Sequence, residues 1–384
     1  MLAVAVFAQA STTVVTSTPA FLIPLLHSQR GLSLAQAGLL AAAPNVGMVL
    51  ALVAWGAASD RWGERRILVI GLAISTIAVV AASLVSGYLA LGMILVVAGI
   101  GAASTNAASG RVVVGWFPKE RRGLAMGIRQ SCQPLGVAVA ALVVPPLVAT
   151  GVIASALIFG AVLVGISAIA CLVVIVDPAR PERVRVDGES DNPYRRDSTL
   201  LRIHLVSVLL VVPQFALSTF GLVWFVIDLR WSTLAAGIVV AAAQFLGAGG
   251  RIAVGVLSDR VGSRLRPLRW VAVAGIVFML LTAAAGALDW GAAAAVCYVL
   301  ASCISVADNG LAFTAVAEFA GPHWSGRALG AQNTGQFLSA AIVAPVVGAL
   351  IGVVGYPAAF ALVALAPAIA TPLVPSARRE AHLA

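Results

Sequence analysis

The chain has 384 residues, 61% of them hydrophobic and only 10% charged, with a mean hydropathy of +1.02. A soluble surface needs roughly a quarter of its residues charged, so this composition excludes a cytosolic enzyme, a disordered protein and a secreted disulfide scaffold. The net charge of +9 does not signal nucleic acid either, because the basic residues form no long patch and do not interleave with stacking aromatics.

A membrane-spanning helix takes about 20 apolar residues. Apolar runs bounded by charge, Gly or Pro predict an all-α polytopic protein with spans at 2–26, 34–58, 67–86, 88–115, 122–148, 151–176, 200–228, 233–257, 268–287, 290–318, 326–350 and 355–375. The first run starts at Met1 without a basic n-region and is too long for a signal h-region, so it reads as a retained span. Residues 177–199 are dense in charge and contain proline, which makes them a solvated cytoplasmic linker between a bundle at 1–176 and a second at 200–375. Residues 376–384 form a tail.

Lys and Arg set the orientation. With the N-terminus cytoplasmic, all of them except Arg30, Arg129 and Arg230 fall in inner loops, at inner helix ends or in the tail, Arg251 among them. Both termini are expected inside and the lipid bilayer of the plasma membrane is the expected surrounding. Trp62, Trp116, Trp270 and Trp324 on one side, with Trp231 and Trp290 on the other, fit interfacial belts. Cys132, Cys171, Cys297 and Cys303 lie in apolar runs without CxxC spacing, and the four histidines fall at segment ends or in loops, so neither a disulfide framework nor a metal site is expected.

The two halves repeat. An offset of 199 residues aligns Gly56, Ser59, Asp60, Arg61 and Gly63 with Gly255, Ser258, Asp259, Arg260 and Gly262, and also Gly38 with Gly237. Later in each half the offset is 203, which pairs Asn106 with Asn309, Gly127 with Gly330, Gln130 with Asn333 and Gln133 with Gln336. A parallel repeat of six helices is the plan of a carrier built from two bundles around a midplane site.

The stretches GAASDRWGERR, from Gly56 to Arg66, and GVLSDRVGSR, from Gly255 to Arg264, fall between the second and third spans of each half. They resemble the signature loop of the major facilitator superfamily, and with twelve spans and a central linker the resemblance covers the whole chain. It implies two pseudo-symmetric bundles and a charge cluster that locks a cytoplasmic gate. Gly56 and Gly255 would allow close helix packing, Gly63 and Gly262 a tight turn, and Asp60 and Asp259 would sit against a helix N-terminus or an arginine. Arg61 and Arg260 belong to the same loops. Arg111, near the inner end of the fourth span, is expected to join Glu120 and the Asp60 cluster, and Glu318 is expected at the gate. Glu64 and Ser263 depart from the family pattern, which often has a basic residue there.

The loop WFPKERRGLAMGIRQ, from Trp116 to Gln130, is similar to its counterpart in branches of the family that carry small anions. Arg129, seven residues into the fifth span, needs a carboxylate, an aqueous cavity or an anion at that depth, and is expected to face a central cavity. Asp308 is the one acid near mid-span, where ionisable groups are functional by default, and it suits proton exchange. A structural hydrogen bond is the competing reading. Asp228 reads as a rim charge beside Arg230. Thr13, Ser17, Asn45, Asn106, Gln130, Gln133, Gln214, Ser218, Gln244, Asn309, Asn333 and Gln336 complete the expected cavity wall.

No phosphate-binding loop, nucleophile elbow or zinc triad is present, so ATP hydrolysis and enzyme chemistry are not expected. The expected activity is secondary transport of a small-molecule solute, without cofactor and functional as a monomer, with a proton gradient as the energy source. Two versions fit the residues. One is proton-coupled carriage of an organic anion and the other is drug or metabolite efflux. The segment SCQPLGV, from Ser131 to Val137, keeps the proline but lacks the double glycine of the exporter signature.

Overall fold

A computed structural model describes residues 1–116, 128–149, 152–177, 192–196, 198–320 and 325–376. The first span is Leu2–Phe21, continued past Leu22 by Ile23–Arg30. The second, third and fourth are Leu34–Trp62, Glu64–Ser83 and Tyr88–Trp116. The fifth, described from Ile128, contains the helix Cys132–Leu147, and the sixth is Ile153–Val174. The seventh, Thr199–Val223, ends in a π-helical turn over Trp224–Asp228. The eighth, ninth and tenth are Thr233–Val261, Leu265–Ala287 and Gly291–Ala320.

Among the described residues eleven stretches are long and apolar enough to cross a bilayer, the last being Arg327–Leu373 with 47 residues. That is more than twice the roughly 20 residues one crossing needs. Gly355, at φ 77° and ψ 171°, breaks it. The stretch therefore supplies the eleventh and twelfth spans, and the bundle has twelve.

The packing is inverted relative to a water-soluble protein. Aliphatic side chains face outward, Ile77 and Val173 being 69% and 75% exposed, while Gln9, Thr12, Thr105, Ser167, Gln332 and Asn309 are buried. Lipid makes this arrangement favourable, because polar groups must find partners inside the helix bundle.

The repeat seen in the sequence is carried into local geometry. Ser33 caps the second span, accepting from the Gln36 amide at 3.2 Å, and its equivalent Ser232 caps the eighth, accepting from the Ala235 amide at 3.2 Å. The halves then meet along two seams, second span on eleventh and fifth on eighth. Gly38 lies against the Ala344 carbonyl and Gly237 against the Ala141 carbonyl, and a Cβ at either glycine would come within 2.5 Å of the oxygen. Both contacts are at the end of the molecule opposite the signature loops, called here the far end; the end with the loops is the basic end.

Within the linker, Pro193–Arg196 forms one helical turn. Tyr194 hydrogen-bonds His204 Nε2 at 2.9 Å, and His204 Nδ1 lies 2.6 Å from Gln332 Oε1, tying this turn to the seventh and eleventh spans.

Candidate functional site

A cavity of about 90 Å³ lies between the halves. Its walls come from the first, second, fourth, fifth, seventh, eighth, tenth and eleventh spans, and among the described residues none comes from the third, sixth, ninth or twelfth. Toward the far end the two glycine seams narrow it. Toward the basic end Phe337 of the eleventh span packs in one apolar cluster with Met48 and Leu52 of the second.

Of the residues expected in the wall, Thr13, Ser17, Asn45, Asn106, Gln133, Gln214, Ser218 and Gln244 line the cavity. Asn45 and Gln244 are equivalent under the 199-residue offset, so the two halves place an amide at matching points. The remaining amides sit behind the wall. Asn309 donates to Gln214 Oε1 at 2.9 Å and accepts from Gln336 Nε2 at 2.7 Å, so it orients a lining residue without lining the cavity itself. Gln336 also donates to Ser207 Oγ at 2.9 Å, Asn333 donates to the Leu329 carbonyl at 3.2 Å, and Gln130, which does not line the cavity, accepts from Arg129 at its side chain and from Arg251 at its carbonyl.

Arg129 does not face the cavity. Its Nη2 donates to the Asn106 carbonyl at 3.2 Å and its Nη1 to Gln130 Oε1 at 3.3 Å, which turns it onto its own bundle. The charged residue that does line the cavity is Arg251. It had been placed among the inner helix ends, yet it lies ten residues before the end of Thr233–Val261, about 15 Å at 1.5 Å per residue. Its Nε donates to the Val306 carbonyl at 3.1 Å and its Nη1 to the Gln130 carbonyl at 3.0 Å, across the interface between bundles. Arg251 is thus at least as far inside its span as Arg129 is inside the fifth, a depth that already marks it as needing a partner, a cavity or an anion.

Asp308 is fully buried, and neither carboxylate oxygen has a hydrogen-bond partner. It does not line the central cavity. Instead it borders a separate small void of about 10 Å³, bounded by Leu210, Pro213, Val271, Gly275, Met279 and Pro367. Ser305, one turn away on the same helix, borders both spaces. In the first half, Thr12 and Thr105 hydrogen-bond at 3.1 Å. An offset of 201 residues aligns Ser17 and Thr18 with Ser218 and Thr219, and so places Pro213 at the position of Thr12. The second half thus replaces a satisfied hydroxyl pair by a proline and an unpartnered carboxylate.

At the basic end the two signature loops differ. In the first, Gly63 has φ 93°, and a Cβ there would run into the Asp177 carboxylate, which accepts from the Arg65 amide at 2.8 Å. Asp177, from the end of the sixth span, thus caps the third, a partner that spacing did not reveal. In the second, Gly262 has φ 63°, and Arg264 binds the Asp259 carboxylate, donates to Ser258 Oγ at 2.8 Å and lies 3.5 Å from Glu318 Oε1. Burial alone would lower the Arg264 pKa, but the hydrogen bond to Asp259 and the charges of Glu318 and Asp259 outweigh it and raise it. Arg264 thus supplies the basic side chain that position 263 does not.

Three expectations change or lie elsewhere. Gly56 and Gly255 meet no neighbour where a Cβ would stand, so they do not mediate close helix packing. Asp228 accepts from Trp224 Nε1 at 3.1 Å and forms no ion pair with Arg230, which occupies a left-handed conformation at φ 59°. The side chains of Asp60 and Arg111, and all of Glu120, lie outside the described residues; Arg61 and Arg260 are exposed. Among the described residues no group of three or more His, Cys, Asp or Glu is arranged to hold a metal ion.

Comparison with known proteins follows the same lines. The Major Facilitator Superfamily profile matches residues 5–344. An uncharacterised MFS-type transporter of Mycobacterium tuberculosis is 48% identical over 358 residues, which is 93% of this chain and 80% of that one. A hexuronate transporter of Bacillus subtilis is 28% identical over 121 residues, 32% of this chain and 29% of that one. The crystal structure of a D-xylose-proton symporter shares the fold, with a TM-score of 0.80 at 14% identity over 98% of each chain. Twelve spans in two bundles, the duplicated loop and a profile match over most of the length agree, and the chain belongs to the major facilitator superfamily.

Proposed function

We propose that this protein is a proton-driven secondary transporter of a small organic solute, residing in the plasma membrane with the basic end and both termini in the cytoplasm. It works as a monomer, without cofactor, by rocking its bundles about the cavity. The observation that carries this reading is the pairing of two spaces. A polar cavity lies between the halves, and behind its wall stands Asp308, a buried carboxylate whose oxygens have no hydrogen-bond partner. A carboxylate buried without an ion pair is costly to charge even with Arg251 acting on it through space, whereas a protonated carboxyl is tolerated. Alternating access of Asp308 through Ser305 would then carry one proton per cycle. The partial likeness to a hexuronate transporter supports a polar organic solute, sugar acids included. The distribution of Lys and Arg supports the orientation.

The test uses protein in liposomes. Wild type should exchange labelled solute down its gradient and accumulate it under an imposed pH difference. Asp308→Asn should keep the exchange and lose the accumulation. Retained accumulation in that variant would assign the proton to another group.

A further inference from the structure

We propose that Arg251 selects the solute, binding one anionic group such as a carboxylate or a phosphate; this rests on the transport reading above and names the substrate class for the same cavity. Arg251 is the one charged side chain among the described residues that line the cavity. A guanidinium about 15 Å inside a span is expensive unless it is paired. Its hydrogen bonds, at 3.1 and 3.0 Å, go to two main-chain carbonyls, of Val306 and Gln130, and it forms no ion pair among the described residues. Nη2 carries no hydrogen bond there and belongs to a side chain that borders the cavity.

The acid closest in the fold does not neutralise it by contact. Asp308 sits on the tenth span two residues beyond Val306 and its charge acts on Arg251 through space, but the two form no ion pair, and Asp308 borders the smaller void rather than the cavity. The cavity wall therefore presents a positive charge and no negative one. Around it Asn106, Gln133, Gln214 and Gln244 offer neutral amide groups, suited to hydroxyl or carbonyl groups on the rest of a solute. Carbonyl oxygens are weaker partners than a carboxylate, which meets a guanidinium through two parallel charge-assisted bonds. An incoming anion thus competes favourably for the Nη groups.

The bond to Gln130 adds a mechanical consequence. Gln130 belongs to the fifth span and Arg251 to the eighth, so Nη1 ties the two bundles together on the basic side of the cavity. A solute that takes this group loosens the tie, and recognition of charge becomes linked to bundle movement. A purely structural arginine, serving only to glue helices, would show no preference for anions.

The experiment measures thermal unfolding of the purified full-length protein with paired probes: D-glucuronate with D-glucose, benzoate with benzyl alcohol, and glycerol 3-phosphate with glycerol. At least one acid should raise the midpoint while its neutral partner does not. Arg251→Gln should weaken that acid by at least about tenfold, the loss expected for a charge-assisted bond, and Arg251→Lys should recover part of it. The wild-type comparison of acid with neutral partner stands even if Arg251→Gln fails to fold. Stabilisation by the neutral partners alone, by none of the acids, or equally in Arg251→Gln would overturn the assignment. Counterflow separates the two readings: a neutral solute that is carried sinks the anion anchor and leaves transport intact, whereas an acid held through Arg251 but never carried sinks transport and leaves the anchor.

Discussion

Thr105 and Asp308 occupy equivalent places in the two halves, yet Thr105 shares a hydrogen bond with Thr12 while Asp308 has none and faces Pro213. The two bundles share a backbone plan, and this site is where their chemistry parts. A carboxylate kept where a hydroxyl pair would satisfy every partner is maintained at the expense of stability.

That cost is measurable. Replacing Pro213 and Asp308 together by threonine should recreate the hydroxyl pair of the first half. The double variant should gain about 1–3 kcal/mol, the penalty of an unsatisfied buried polar group, and lose pH-driven accumulation. Unfolding midpoints in detergent read the first effect and liposome uptake the second; a lower midpoint would show that the carboxylate is satisfied in the folded protein.

Ser305 borders both the cavity and the void of Asp308. Ser305→Val fills that wall with methyl groups, so proton delivery should slow. Accumulation under a pH difference is expected to fall about tenfold, equivalent to about 1.4 kcal/mol in a barrier, with counterflow unchanged. Equal loss of both would mean that the substitution merely deforms the cavity.

Much of this was legible in the sequence. Twelve apolar runs, the basic loops and two offsets specify spans and repeat, because lipid imposes a length on every crossing and duplication leaves matching glycines. The amide pair Gln133 and Gln336 was legible by the same repeat, although only Gln133 lines the cavity. Rotation about the helix axis was not legible. Arg129 and Arg251 lie at similar depth, and only packing decides that the first turns to the Asn106 carbonyl and the second to the cavity. Asp177 was missed as a partner of the signature loop because its contact joins residues 112 apart in the chain.

The two arginines give a direct contrast. Arg129→Gln should leave solute affinity within about twofold, since its hydrogen bonds to the Asn106 carbonyl and to Gln130 are to its own bundle and it does not line the cavity. Arg251→Gln should lose at least about tenfold. Binding titrations of both variants check the ordering, and a reversed order would return Arg129 to the site.

At the far end, Gly237→Val places a side chain against the Ala141 carbonyl, and Gly38→Val against that of Ala344. Overpacking of this kind costs about 1–3 kcal/mol and should hold the seam open. A cysteine introduced at Thr13, in the cavity wall, should then react about tenfold faster with a membrane-impermeant maleimide from that side. Unchanged labelling would show that the seam yields without opening.

At the basic end, Arg264→Ala frees both Asp259 and Glu318. These groups lie outside the cavity, so equilibrium solute affinity should stay constant while the rate of cycling changes several-fold. A large loss of affinity with unaltered cycling would place the cluster in recognition rather than gating.

Asp308 is housed in its own compartment, with Ser305 as the partition. The amides lining the larger compartment can therefore be exchanged over evolutionary time without touching Asp308. If Asp308 couples transport to protons as proposed, descendants of such a chain are free to diversify what they carry while inheriting how the journey is driven.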